Sequence, residues 1–203
     1  MTTYPDPAID KIYELLFCDN LELYRGSDAA DHYPWTTVLA DSPEVADLEK
    51  IVNDDELETR PKILAANLLR SLGQTDDSKE LFGVIVEVGM DEGLDTLAAY
   101  EDGTARYINY TGSMVVWETR TAESDELIAE LFGAARNVVA QIGPWDAARL
   151  NRPQAGNVRL SFLVSDGLYF GEGPFSVLAQ DSIGGPVIGA ATKLMQVLVS
   201  RRT

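Results

Sequence analysis

The chain has 203 residues, 45% hydrophobic and 24% charged, with 33 acidic against 16 basic side chains and a formal net charge of −17. A chain of that length buries a core without disulfide staples, and the composition excludes wholesale disorder. So acidic a surface repels nucleic acid and anionic membrane headgroups, and no apolar run approaches the roughly 20 residues a membrane span needs.

The first residues, MTTYPDPAIDK, lack the basic and apolar regions of a signal peptide, and the lone Cys18 allows no intrachain disulfide. Both point to a cytoplasmic protein. Residues 7–17 then place Ile9, Ile12, Tyr13, Leu16 and Phe17 on one stripe, the spacing of a core-facing helix. A polar, Gly-containing stretch follows over 25–33. Ser42 with Pro43 reads as the cap and first residue of a helix running to Val52. Another helix is expected over 57–72, with Ile63, Leu64, Leu68 and Leu72 on one face and Gly73 as its stop. Pro61 leaves open a later start for it. Residues 1–76 therefore form a helical N-terminal subregion of a single domain spanning 1–203.

Residues 80–203 read as an antiparallel α+β body. Its meander, 81–118, divides into four strands at Gly- and Asp-containing turns. Reading Asp102-Gly103 and Thr111-Gly112 as two-residue turns with positive φ pairs Ala98 with Tyr107 and Asn109 with Met114. A link over 90–93 pairs Glu87 with Thr96. One face is then Val84, Val86, Leu97, Ala99, Ile108, Val115 and Trp117, with Arg106 beside Trp117. The other carries Glu87, Thr96, Tyr107 and Asn109 with Ile85, Ala98, Met114 and Val116.

A helix over 125–142, capped by Ser124, shows the cleanest amphipathic stripe: Leu127, Ile128, Leu131, Phe132, Ala135, Val138, Val139 and Ile142. Two more strands, 158–165 and 168–180, the second interrupted at 171–174, add to the sheet. A last helix opens near Pro186. Strands, helix, strands, helix point to one antiparallel sheet covered by helices.

Recognisable catalytic chemistry is scarce. One histidine (His32) and one cysteine leave no material for a zinc site or thiolate cluster, and Cys18 reads as a buried, inert thiol. His32 follows Asp31, which could make it a base, but loop position before Pro34-Trp35 favours a plain surface residue. Neither a G-x-S-x-G elbow nor a phosphate-binding G-x-x-x-x-G-K-[ST] occurs. Adjacent acids at Asp54-Asp55 and Asp76-Asp77 offer weak surface sites for a divalent ion at best. No catalytic residue, resident metal or cofactor is expected. Glu87, Thr96, Tyr107 and Asn109 form the candidate patch, for a ligand or for helices docking through hydrogen bonds.

The densest acid lies early: Asp28, Asp31, Asp41, Glu44, Asp47, Glu49, Asp54, Asp55, Glu56 and Glu58. The function expected is thus a non-catalytic acidic binding or regulatory protein docking a protein partner, basic in character and immunity-like. A small-molecule binding domain using the polar sheet face is the alternative, with carboxylate chemistry at Glu87 a third. Neither a nucleic acid nor a membrane is an expected partner, and the oligomeric state is left open by the residues.

Overall fold

A computed structural model describes residues 2–26, 28–74 and 78–201. Asp76, Asp77 and Arg202 lie outside the described residues, as does the side chain of Asp28. Among the described residues the fold is α+β: a six-stranded antiparallel sheet with helices on both faces.

The strands are β1 (Leu81–Met90), β2 (Gly93–Tyr100), β3 (Ala105–Ile108), β4 (Met114–Trp117), β5 (Asn157–Val164) and β6 (Gly167–Pro174), in sheet order β4-β3-β2-β1-β5-β6. The meander accounts for four consecutive neighbours, and β5 returns to pair with the free side of β1. β1 becomes the central strand, which explains its almost uninterrupted apolar run. A bulge between Leu81 and Gly83 interrupts its register against β5.

One face is covered by α5 (Ala122–Val139) and α7 (Gly184–Ser200). Leu131, Ala135, Val187 and Leu194 pack there on Val84, Val86, Val158, Leu160 and Phe162. Thr121 caps α5 reciprocally: its hydroxyl accepts from Ser124 N at 3.1 Å, and the Ser124 hydroxyl accepts from Thr121 N at 2.9 Å. The helix thus starts three residues before the position expected from its apolar stripe, with Ser124 in its first turn. The stripe marks only the buried side; the capping box decides the end.

The opposite face is covered by α1 (Pro7–Leu15), α2 (Trp35–Val38), α3 (Val45–Val52) and α4 (Thr59–Ser71), whose Tyr13, Trp35, Leu48, Ile51 and Leu64 join Phe82, Ile85, Ala98 and Tyr100 in a second core. Helix α3 takes Glu44 as its cap residue, so Ser42 and Pro43 precede it. Pro61 sits in the first turn of α4, where an absent N–H removes no helical bond. The N-terminus of α4 is met from the sheet: Thr59 N donates to Asp102 Oδ2 at 2.8 Å, and Asp102 N donates to Thr59 Oγ1 at 3.0 Å.

Two expectations about the strands change. The second late strand ends at Pro174, and Phe175–Leu178 form a short helix, α6. Pro174 lacks the N–H that would continue the ladder and stands at the start of the new helix. The β2–β3 and β3–β4 turns of the meander are three-residue loops. Tyr100 N donates to Thr104 O and Gly103 N to Tyr100 O; Asn109 N donates to Ser113 O and Gly112 N to Asn109 O. Only the glycines, Gly103 at φ 83° and Gly112 at φ 83°, have positive φ; Asp102 and Thr111 do not. A two-residue I′ turn needs positive φ at both central residues, so these are type I turns closed by a glycine bulge.

The extra residue moves the register by one. Leu97 pairs with Tyr107, Thr96 with Ile108, and Ile108 with Met114. Every β3 side chain therefore changes face. Ile108 and Arg106 turn towards the N-terminal helices, and Tyr107 turns towards α5 and α7. Trp117 keeps its expected face, but its cationic neighbour is Arg201, 5.5 Å from the ring, rather than Arg106.

Candidate functional site

The candidate patch is divided by that register. Glu87 and Thr96 are cross-strand neighbours on the face under the N-terminal helices, and both are 0% exposed. Tyr107 is on the opposite face, where its hydroxyl donates to Asp95 Oδ2 at 3.0 Å. Asn109 belongs to the β3–β4 turn, and its Oδ1 accepts from Thr111 N at 3.1 Å and Ser113 N at 2.8 Å. Two of the four residues thus stand together; Tyr107 and Asn109 do not join them, because a one-residue loop difference inverts β3.

What does surround Glu87 comes from distant parts of the chain. Across the sheet, Thr96, Glu87, Arg159 and Glu172 form one continuous row over β2, β1, β5 and β6. From α1, Tyr13 donates its hydroxyl to Glu87 Oε1 at 2.6 Å. Tyr4 donates to Leu94 O at 2.9 Å and lies 3.0 Å from Thr96 Oγ1. Arg159, 3% exposed, directs Nε to Glu172 Oε2 at 2.9 Å, Nη1 to Leu150 O at 3.1 Å and Nη2 to Asn151 O at 2.5 Å. Its Nη1 stands 3.7 Å from Glu87 Oε2, an ion pair without a hydrogen bond. Glu87 Oε2 is buried with no hydrogen-bond partner.

Burial raises the Glu87 carboxyl above its ordinary range, against the lowering effects of the Tyr13 hydroxyl and the Arg159 charge. Burial also raises Tyr13, helped by the Glu87 charge beside it. The upward direction fits this environment, because desolvation disfavours the charged form of a carboxyl whose second oxygen lacks a donor. The sign of the pH dependence follows. The folded state holds the Glu87 proton more tightly than the unfolded state, so this group's contribution falls as pH rises from near 4.5 towards the raised folded value. Glu87→Gln keeps an acceptor for Tyr13 and removes the titration. Urea melts from acid to neutral pH should show the variant gaining on the native protein as pH rises. A constant difference across that range would contradict a raised Glu87.

The arrangement ties helices to sheet, with Glu87 and Thr96 sealed and the Glu172 side chain 23% exposed. Arg159 and Tyr13 were not legible as its members because neither lies near Glu87 in sequence. The out-of-phase charge in Val158-Arg159-Leu160-Ser161-Phe162 was the available signal, and it needed the β1–β5 pairing to acquire meaning. A second long-range tie is Arg149, from the segment before β5, which donates Nε to Asp19 Oδ2 at 2.9 Å and Nη2 to Glu14 Oε2, with its guanidinium carbon 3.9 Å from the Phe17 ring centroid.

Cys18 is buried, and burial pushes its thiol up to about 12, far from the range of a nucleophile. His32 lies in an exposed bend before Pro34. Among the described residues no three His, Cys, Asp or Glu side chains converge as a metal centre would require. None of the described helices is long and apolar enough to cross a membrane.

Concave surface lies elsewhere. A cleft of about 530 Å³ runs between α3, α4 and the β5–β6 turn, with Glu49, Asn53, Arg70, Glu80 and Asp166 among its walls. A smaller cavity, about 210 Å³, lies where α1 and the start of α4 cross the β3–β4 end of the sheet. Compared with known proteins, the chain matches no protein family and no curated sequence.

Proposed function

We propose that this chain is a non-catalytic binding or regulatory protein that docks a basic protein partner in the cytoplasm, as an immunity protein does. The observation that carries the reading is a contrast in placement. Glu87, the acid best suited by sequence to carboxylate chemistry, is sealed between helices and sheet. The acids of the N-terminal layer stand at the surface instead: Asp31, Asp41, Glu44, Glu49, Asp55 and Glu56 are all exposed.

Part of the local positive charge is already engaged. Lys50 pairs with Asp47 at 2.7 Å, Arg60 with Glu58 at 2.7 Å, and the buried Lys62 with Asp55 at 3.9 Å. Asp41, 3.8 Å from Arg25, and Asp55 keep 99% and 98% of their side-chain surface open, which leaves most of each carboxylate accessible to an incoming cation. Exposed like charges steer a basic partner and add specificity at low cost in stability. A lone buried thiol is compatible with a reducing compartment.

The test is crosslinking in the native cell, comparing the protein with a variant carrying Asp41→Asn, Glu44→Gln, Glu49→Gln, Asp55→Asn and Glu56→Gln. A basic protein captured by the first and lost from the second, with association slowing steeply as salt rises, is the expected result. Capture that is indifferent to the five neutralisations, or bound partners that are themselves acidic, would remove this surface from the function.

A further inference from the structure

We infer that the cavity between α1, α4 and the β3–β4 end of the sheet is a binding site for a small organic monocarboxylate with a short apolar tail. Arg106 carries the inference. The inverted register of β3 sets it in a row with Ala98 and Val116, under the N-terminal helices and only 8% exposed. Its Nη2 donates to Glu118 Oε1 at 3.2 Å, while its Nη1 is buried and meets no acceptor. An unpaired N–H on a buried guanidinium is destabilising, and the natural complement of that fork is a carboxylate.

The cavity beside it has room for such a group. It measures about 210 Å³, and Arg60, whose Nη2 is held by Glu58 at 2.7 Å, lines it together with Arg106. Two guanidiniums bordering one cavity are notable in a chain with 16 basic residues against 33 acidic ones. Ile12, Leu15, Leu16, Met114 and Val116 make most of the remaining wall, with Tyr100 and the Glu118 carboxylate completing it. A charged corner against an apolar wall fits an anion with a hydrocarbon part.

Size and charge narrow the class. The volume is below the ~300–1,000 Å³ of drug-sized sites, which points to an acid of a few carbons. Locally, Arg60 and Arg106 are already balanced by Glu58 and Glu118. One further negative charge is therefore tolerated better than the two of a phosphate. Access exists along the sheet edge: β4 is an outermost strand, Val116 is 44% exposed, and the Glu118 side chain that holds Arg106 is itself 68% exposed.

Met114 provides the probe, since its side chain lines the cavity while Met90 and Met195 belong to other parts of the fold. Protein labelled with carbon-13 at the methionine methyl groups is titrated with butanoate, hexanoate and inorganic phosphate and followed by NMR. Butanoate or hexanoate should move the Met114 methyl saturably and leave Met90 and Met195 in place, while phosphate moves none. Arg106→Gln should weaken binding roughly tenfold or more, the scale of a lost charge-assisted hydrogen bond. Val116→Glu, at the exposed position paired across the strands with Arg106, sets a competing carboxylate beside the guanidinium at the mouth and should weaken binding similarly. If Arg106→Gln does not fold, Val116→Glu decides alone. A Met114 methyl unmoved by both acids, undiminished binding in the folded Arg106→Gln protein, or a response to phosphate alone overturns the assignment. With Val116→Glu deciding alone, undiminished binding overturns it too.

Discussion

Arg159→Ala is expected to lower stability by about 3–5 kcal/mol, the cost of removing one partner from a buried ionic cluster. The arginine is 3% exposed and serves four groups together: Glu172, the carbonyls of Leu150 and Asn151, and the Glu87 carboxyl 3.7 Å away. Its loss strands two main-chain acceptors and leaves Glu87 with Tyr13 as its hydrogen-bond donor. The cost should be smaller in a Glu87→Gln background, because there the truncation abandons no carboxylate at position 87. Urea melts of the two single variants and the double variant measure that coupling. Strict additivity would show that Arg159 and Glu87 do not sense one another across 3.7 Å.

Leu131→Asp should be the more damaging of the two. Leu131 is 0% exposed on α5, packed against the sheet in the core that α5 and α7 share. Leucine truncation in such sites costs roughly 2–5 kcal/mol from lost transfer energy and cavity formation alone. A carboxylate without a partner adds desolvation, so a total above about 4 kcal/mol is expected, comparable with the whole stability of many domains. The variant should be largely unfolded or melt at much lower denaturant. A loss below about 0.5 kcal/mol would be incompatible with this packing of α5.

The acid-rich composition, the longer helices and most of the strand positions were legible in the residues themselves, because each rests on a local pattern; the short helices α2 and α6 were not. The stripe from Leu127 to Val139 marks an amphipathic helix wherever it packs, and the alternation of Val84, Val86, Leu97 and Ala99 assigns faces to β1 and β2. The β1–β2 pairing, Glu87 opposite Thr96, also follows from sequence, through strand lengths that meet at a short link. Hence the α+β class, the antiparallel sheet and the helical N-terminal region are properties the sequence determines alone.

Only the tertiary structure decided what Glu87 meets. Asp102-Gly103 suits a two-residue turn and a glycine-bulge turn equally well in local terms, and only the structure shows which is taken. Asp102 bonds to Thr59 at the start of α4, which the bulged loop permits, and that one residue sends Arg106 and Ile108 to one face and Tyr107 to the other. The second strand pair then supplies Arg159 and Glu172, and α1 supplies Tyr13, from positions more than seventy residues away in the case of Tyr13 and Glu87. Periodicity records which side of an element is buried. It carries no information on which distant element does the burying, and a buried charge takes its character from that partner.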